Sequence, residues 1–544
     1  MKKTLTLLLA CALVMSLSAA CGSSTAAPTT RPAASSDWTP GAGYAGKYDP
    51  SNVLTISWVT QGDRPVDPDS AITKAIEEMF NLKIDYVYLQ RAEQAQLLNI
   101  KLAAGDIPDV WRPAGNAGYR ELIPQGVLAE INMDLLQEVA PTFYAGALDL
   151  YAEFGNVFEF LKDDGKLYAL PVYEINSSYM LMTVWRDDWL KNVGIDKIPE
   201  TVEEAEAAFY KFVNDDPDQN GQNDTFAFSG HGINHFLYAY GGPGMNNVIR
   251  DGKVTRVVLE PEHKQGMAKI VQFYADGLID PEFHTGENRG QNWPLSIPFF
   301  NGVIGYTAGH MFYHLNPPLA EGANGGAFYE GFLDLQPDGS WDFGKPLKGP
   351  WPEVISPRWG IVPGGNNMVY GVNMTEEKQV RLLQIIERQM TDWDVFLLLD
   401  SGIEGIHYST SVNDKNQTIY SSLLNREDQY QPGNRTEGFT YVHGIARDFV
   451  IRQDISNYDF AEKYFTPKAM GAIPYTNPIF GTLEEEIRDI SAALGTRYDE
   501  VRNLFITGQR AFNDTEWDAF ITELKTLGIE KYLEAAQEWY DANK

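Results

Sequence analysis

The chain has 544 residues with 74 acidic and 43 basic side chains, a formal net charge of −31 and 44% hydrophobic residues. So acidic a chain excludes nucleic acid and anionic lipid as direct partners, because both select a basic face. The apolar content is ample for two lobes of a few hundred residues at most.

Lys2 and Lys3 precede the apolar run LTLLLACALVM and then SLSAAC, the order of charge, apolar stretch and small residues found in a secretory signal. The run is too short for a permanent membrane span. Ser18, Ala19 and Ala20 before Cys21 are similar to a bacterial lipobox, although Leu17 stands four residues before the cysteine and the motif has its leucine three before. Residues 1–20 are therefore expected to be a signal peptide and Cys21 the acylated residue, with ordinary signal-peptidase cleavage nearby as the alternative. The other cysteine, Cys11, falls inside that signal, so no disulfide is available to the mature chain. Residues 22 to 50 are rich in Ser, Thr, Ala, Pro and Gly without apolar periodicity, which makes 21–50 a lipid anchor and flexible tether. The expected location is the outer face of the bacterial cytoplasmic membrane, touched only through lipid.

From residue 53, VLTISWV reads as a strand, SAITKAIEEMF as a helix, LKIDYVYL as a strand and AEQAQLLNIKLAAG as a helix closed by Gly105. DIPDVWR then brings a short strand to its end at Trp111. A βαβα start predicts a parallel sheet, and ligands of open α/β sheets lie beyond the carboxyl ends of the strands. Those ends carry Trp58 to Arg64 and Trp111 with Arg112. A second α/β run begins at KLYALPVYEINSSYMLMTVWRDDWLKNVGID, followed by a helix that opens with a capping box, Thr201 and Glu204, and runs through Phe209, Phe212 and Val213. VIGYTAG reads as another strand, TEEKQVRLLQIIERQMTD as a helix capped by Thr375, and the last forty residues as helices on the outside of a lobe.

Between the capped helix and FAFSG lies DDPDQNGQND. Counting Asp216 as position 1 of a calcium loop puts Asp218 at 3, Asn220 at 5, Gly221 at the turn, the Gln222 carbonyl at 7 and Asp224 at 9. Position 12, where a bidentate Glu is expected, is Ala227, so a ligand has to come from Thr225, Asn223 or water. The alternative is a solvated turn, which Asn, Gly and Asp favour without metal.

The segments KLAAGDIPDVW, DGKLYALPVYE, WRDDWLKNVGI with PETVEEAEAAFYKF, DPDQNGQND, HFLYAYGGP, LEPEHKQGMAKIVQFYADGLIDPEF and SGIEGIHYS occur over about 50 to 410. In that order they resemble the large extracellular solute-binding lipoproteins of ABC transporters for sugars and oligosaccharides, which have the type II periplasmic-binding-protein fold. The resemblance implies a two-lobed α/β protein with extra C-terminal helices, closing over ligand by a hinge at crossovers near 173–176, 300 and 357. It puts 51–172 and 300–356 in lobe 1, and 176–299 and 358–544 in lobe 2. It also implies that the acidic loop is the family's structural calcium site, with Thr225 where members usually carry an acidic residue. ABC permease subunits are the expected protein partner, no catalytic cofactor is expected, and the protein is expected to act as a monomer.

Sugar recognition needs flat apolar surfaces for pyranose CH faces and planar polar groups for hydroxyls. Trp58, Trp111, Tyr173 and Trp359 fall at strand ends or crossovers, with Asp63, Arg64, Arg112 and Glu174 nearby as polar partners. Each aromatic could equally be core. SGIEGIHYS places Glu404 and His407 on a glycine-punctuated loop, read as cleft-lining or as a turn with a capping histidine. His310 is a further cleft candidate; its i,i+4 partner His314 follows Met311, so no zincin base is present. No G-x-S-x-G, Walker or H-E-x-x-H motif occurs. The expected function is therefore binding: capture of a sugar or oligosaccharide between two lobes and delivery to a permease. A surface-anchored carbohydrate-active hydrolase or lyase using two acidic residues stands as the alternative, and a receptor reporting to a sensor kinase as a third.

Overall fold

A computed structural model describes residues 44–62, 65–90, 93–113, 118–152, 156–172, 178–284, 297–310, 312–319, 325–326, 329–358, 367–424, 446–475, 483 and 485–543. Cys21, Asp63, Arg64, Tyr173, Glu174 and Trp359 lie outside them.

After a short helical turn at Tyr44–Lys47, the order is β1 (Leu54–Gly62), α1 (Ala71–Phe80), β2 (Leu82–Gln90), α2 (Gln94–Ala103) and β3 (Val110–Trp111), the βαβα order read from the sequence. Local chemistry sets the boundaries. Ser70 caps α1 by accepting from the Thr73 N–H, and Asn81 takes the left-handed conformation that ends it. β4 (Ala169–Pro171) completes the first stretch, and β5 (Met182–Arg186) starts the second. α3 (Val202–Asn214) buries Val202, Ala205, Phe209 and Phe212 along one stripe. Its Thr201 accepts from the Glu204 N–H, but the Glu204 carboxylate accepts from the Glu200 N–H, one residue ahead of the reciprocal partner of a capping box. α4 (Pro261–Ala275), β6 (Tyr306–His310), β7 (Trp341–Gly344), β8 (Ile355–Pro357), β9 (Asn367–Tyr370), α5 (Glu376–Thr391) and α6 (Trp393–Asp400) follow. A hairpin, β10 (Tyr408–Val412) with β11 (Thr418–Ser422), then α7 (Arg447–Gln453), α8 (Ile455–Tyr464), β12 (Ile473–Tyr475) and the helices α9 (Glu485–Ile506), α10 (Asp514–Thr526) and α11 (Ile529–Asn543) close the chain.

Among the described residues, the first sheet runs β2-β1-β3-β9-β4. β1 is parallel to β2 from Leu54↔Leu82 to Gly62↔Gln90 and parallel to β3 at Trp58↔Val110. β9 is antiparallel to β3 and to β4, so the expected parallel sheet is mixed. The second sheet, β6-β5-β7, is antiparallel, with Tyr306↔Trp185 and Phe343↔Val184. One core surrounds the first sheet and continues over one face of the second, through Met182, Val184, Phe312 and Phe332. A separate core covers the opposite face with Trp185, Tyr306, Phe209 and Phe273, and is finished by Leu494, Phe505, Phe520 and Tyr532 of the C-terminal helices. Among the described residues no helix is long and apolar enough to cross a membrane.

The chain passes from the first sheet to the second between Pro171 and Met182, and returns between Gly344 and Asn367. The crossover expected at 300 is corrected. Ile304 bridges Phe226, and β6 joins β5, so this stretch stays with the second sheet. The third segment at the crossing is β12, parallel to β8 at Ile355↔Ile473, while Met180 bridges Arg358 and the Leu181 N–H donates to the Pro357 carbonyl at 2.9 Å. The lobe boundaries change with it. Strands β6 and β7, inside the stretch 300–356 assigned to lobe 1, pair with β5 in the second sheet; β9 with α5, assigned to lobe 2, belongs to the first sheet. Short strands owe their place to long-range pairing, which local pattern does not report.

Candidate ligand-binding cleft

The carboxyl ends of β1, β2 and β3 and the start of the antiparallel β9 share one edge of the first sheet, bordered by Gly62, Gln90, Trp111 and Asn367. Arg112 follows directly after β3 and is half-buried. Trp111 is 1% exposed and its Nε1 has no hydrogen-bond partner. Trp58 is buried as well. The two indoles do not form one wall. Trp58 pairs with Val110, so the alternation of side chains puts Trp111 on the opposite face. The Trp58 face carries Tyr86, whose hydroxyl lies 3.0 Å from Thr73 of α1. The Trp111 face carries Asp109, held by Lys378 of α5 at 2.8 Å and by the Ser57 hydroxyl at 3.1 Å. Helices thus cover both faces, and Trp58 and Trp111, each named as a ligand-binding candidate, are both buried in the first core.

His407 and Glu404 sit in the turn between α6 and β10, on the first core rather than on the second sheet. The Ile403 N–H donates to His407 Nδ1 at 3.0 Å, and burial lowers the pKa of this imidazole, so it stays neutral. This is the capping-histidine geometry, and Gly402 at φ +89° is needed because a Cβ there would meet the ring at 2.8 Å. Glu404 is exposed and accepts from the Thr410 hydroxyl at 2.8 Å. β6 ends at His310 behind an irregularity at Gly309, φ +83°, and His314 lies in the next helix, Phe312–Leu315.

The acidic loop has its own geometry. Asp216 accepts from the Asn220 and Gly221 N–H groups, both at 3.1 Å, and the Asn220 Nδ2 donates to Asp218 at 2.8 Å and to Asp224 at 3.2 Å. Burial first, and then the neighbouring Asp216 and Asp224, raise the Asp218 carboxyl above its usual range. One amide nitrogen therefore occupies the centre to which the carboxylates turn, and the Gln222 N–H, donating to the Asn220 Oδ1, holds the amide that way round. These hydrogen bonds gather positions 1, 3, 5 and 9 of the loop. Position 12 supplies no side-chain ligand, because Ala227 is buried and its N–H donates to the Leu278 carbonyl. Thr225 is no substitute: its hydroxyl is buried and donates to the Phe212 carbonyl at 2.6 Å. The Gln222 N–H donates to the Asn220 side chain at 2.7 Å. Among the described residues no group of three or more His, Cys, Asp or Glu side chains is arranged to hold a metal ion.

Sequence reasoning missed the support at the crossing. The Asn246 side chain hydrogen-bonds both Tyr238 and Tyr475, and burial pushes the Tyr238 hydroxyl up to about 12. The Tyr475 hydroxyl of β12 donates to the Asn247 carbonyl at 2.8 Å. These residues are more than two hundred positions apart, so only the GGPG turn signal hinted that backbone approaches closely there.

No protein-family model matches the chain. It is 24% identical over 379 residues to the polygalacturonan/rhamnogalacturonan-binding protein YtcQ of Bacillus subtilis strain 168, covering 67% of this chain and 68% of that protein. It is 27% identical over 284 residues to the fructooligosaccharide ABC transporter substrate-binding protein FusA of Streptococcus pneumoniae, covering 47% of this chain and 51% of FusA. Lipoprotein LipO of Bacillus subtilis is 20% identical over 70% of this chain and 76% of its own. In fold, FusA in complex with kestose matches with a TM-score of 0.64 at 21% identity, covering 90% of this chain and 100% of that one. The HMO binding ABC-transporter associated solute binding protein of Bifidobacterium longum infantis gives 0.61 at 17% identity over 91% of this chain and 99% of that one. YtcQ and FusA are binding proteins, and neither supports the hydrolase alternative. The two α/β halves thus match the fold of solute-binding proteins of ABC transporters, and the sequence is similar to YtcQ and FusA.

Proposed function

We propose that this chain captures an oligosaccharide between its two α/β halves, at the carboxyl edge of the first sheet, and hands it to the permease of an ABC importer. The observation that carries this reading is the crossing itself. Between the sheets, residues 178–181 pair with the end of β8 and with Arg358, and β8 pairs with β12. Such a joint lets one half rotate on the other, and a ligand touching both halves drives closure by preferring the closed state. The relatives bind different glycans, galacturonan or rhamnogalacturonan for YtcQ and fructooligosaccharide for FusA, so the class proposed is oligosaccharide and not one sugar.

In this reading Trp111 and Arg112 line the edge from the first sheet, with Asp63, Arg64, Tyr173, Glu174 and Trp359 supplied by the neighbouring segments. The acidic loop holds a structural calcium ion through Asp216, Asp218, Asn220, the Gln222 carbonyl and Asp224. Such an ion supplies positive charge where these carboxylates crowd. Two matched proteins point the same way: an EF-hand mutant of FusA, and the alginate-binding protein AlgQ2 without calcium ion. Cys21 carries the lipid that keeps the protein at the outer membrane face.

A thermal-shift screen with galacturonan, fructan and N-glycan oligosaccharides tests the function, since ligand that binds only folded protein raises Tm by mass action. A saturable rise with no glycan product on analysis is expected. Turnover of any glycan would overturn the receptor reading. Trp111→Ala and Tyr173→Ala should each weaken binding by about thirtyfold, roughly 2 kcal/mol; a Trp111→Ala protein that fails only because it unfolds would make Trp111, 1% exposed, a core residue rather than a ligand contact.

A further inference from the structure

Thr60 of β1 is 1% exposed, and its Oγ1 is buried without a hydrogen-bond partner. A buried hydroxyl left unpaired costs free energy, and native chains rarely keep one. Valine has nearly the shape of threonine, is favoured in strands and would avoid that cost among the neighbours Ile56, Trp58 and Val59. The hydroxyl therefore needs a use that the free protein does not reveal.

Its position suggests one. Among the described residues, Thr60 Oγ1 and Trp111 Nε1 are the unpartnered polar atoms at the carboxyl ends of the first sheet's parallel strands. The next residue of β1 on the Thr60 face is Gly62, which ends the strand. No side chain of β1 therefore stands between Thr60 and the edge on that face. We propose that Thr60 is a specificity-determining residue whose Oγ1 hydrogen-bonds a hydroxyl of the bound oligosaccharide. A threonine hydroxyl both donates and accepts, as a sugar hydroxyl does, and in a site closed to water such a bond discriminates strongly against a ligand lacking it. This inference rests on the oligosaccharide reading above.

The experiment uses the full chain and, as probe, whichever oligosaccharide of the screen most raises the parent's Tm. Thr60→Val should leave the Tm of the unliganded protein unchanged or slightly higher, because it removes an unpaired polar atom. Its affinity for the probe should fall about tenfold, equivalent to about 1.4 kcal/mol. Thr60→Ser should keep the affinity within about threefold, since it retains the hydroxyl. Unchanged affinity in Thr60→Val would overturn the proposal and leave the hydroxyl to a buried water. A Tm lowered by several degrees in unliganded Thr60→Val would also overturn it, by showing that the hydroxyl has a partner in the protein. If the parent binds no oligosaccharide, the functional reading falls and this inference with it, an outcome distinct from binding that ignores Thr60.

Discussion

Replacing Tyr498 by phenylalanine removes one oxygen from the second core, and the consequence can be worked through atom by atom. Tyr498 lies on α9 and is buried; its hydroxyl is 3.0 Å from His263 Nε2 of α4 and accepts from the Gly244 N–H at 3.2 Å. His263 Nδ1 is 3.2 Å from the Gly242 carbonyl, which can only accept. The histidine proton must therefore sit on Nδ1, Nε2 must accept, and the tyrosine must donate to it. Tyr498→Phe leaves two buried groups, the Gly244 N–H and His263 Nε2, with no partner. At about 1–3 kcal/mol each, and allowing for relaxation, the loss is about 2–4 kcal/mol. For a cooperative unit of ~150–250 residues the lower end corresponds to about 4–8 °C in Tm. Differential scanning fluorimetry of the parent, Tyr498→Phe and the exposed control Tyr464→Phe measures it. A Tm for Tyr498→Phe within about a degree of the control would refute the network as a stabilising element. The functional side follows from place: the same turn, 241–246, carries Asn246 to Tyr238 and Tyr475, so loosening it should also disturb the crossing segment β12.

Acid should destabilise the second half. Burial, with His231 adding to it for His235, pushes His235 and His263 from 6.5 down to about 3. The unfolded chain then binds more protons between those values, so stability is full above about pH 6.5 and falls as pH drops toward 3; a flat Tm over that window would sink this account. Excess chelator should lower the Tm of the parent, and Asp216→Ala should abolish that sensitivity; an unchanged Tm would leave the loop a plain turn. Gly371→Ala should destabilise by about 1–3 kcal/mol, because the new Cβ would collide with the Pro108 backbone carbonyl beside the strand of Trp111, and equilibrium unfolding reads the difference. Cys21→Ser should release the protein from the membrane fraction or leave it unprocessed; equal retention would refute acylation.

The sequence by itself determined the elements whose signals are local. The apolar period of α3, the caps at Ser70, Thr201 and Thr375, and the turn at Gly221 each report their structure within a few residues, because short-range hydrogen bonds and one-sided burial create them. The order of such elements was enough to expect an α/β chain with C-terminal helices, and the motif series enough to expect a binding protein. The tertiary structure decided what depends on distant partners. It placed the third crossing segment at Ile473–Tyr475, exchanged 306–344 and 367–400 between the halves, and turned Trp58 and Trp111 to opposite faces. Two- and three-residue strands carry too little pattern to announce their neighbours, and the face a side chain takes follows from register. His407 shows the limit at a single residue: its glycine-rich loop suggested a cleft, but the ring turned inward to accept from Ile403, a choice made by the nearest unpaired N–H.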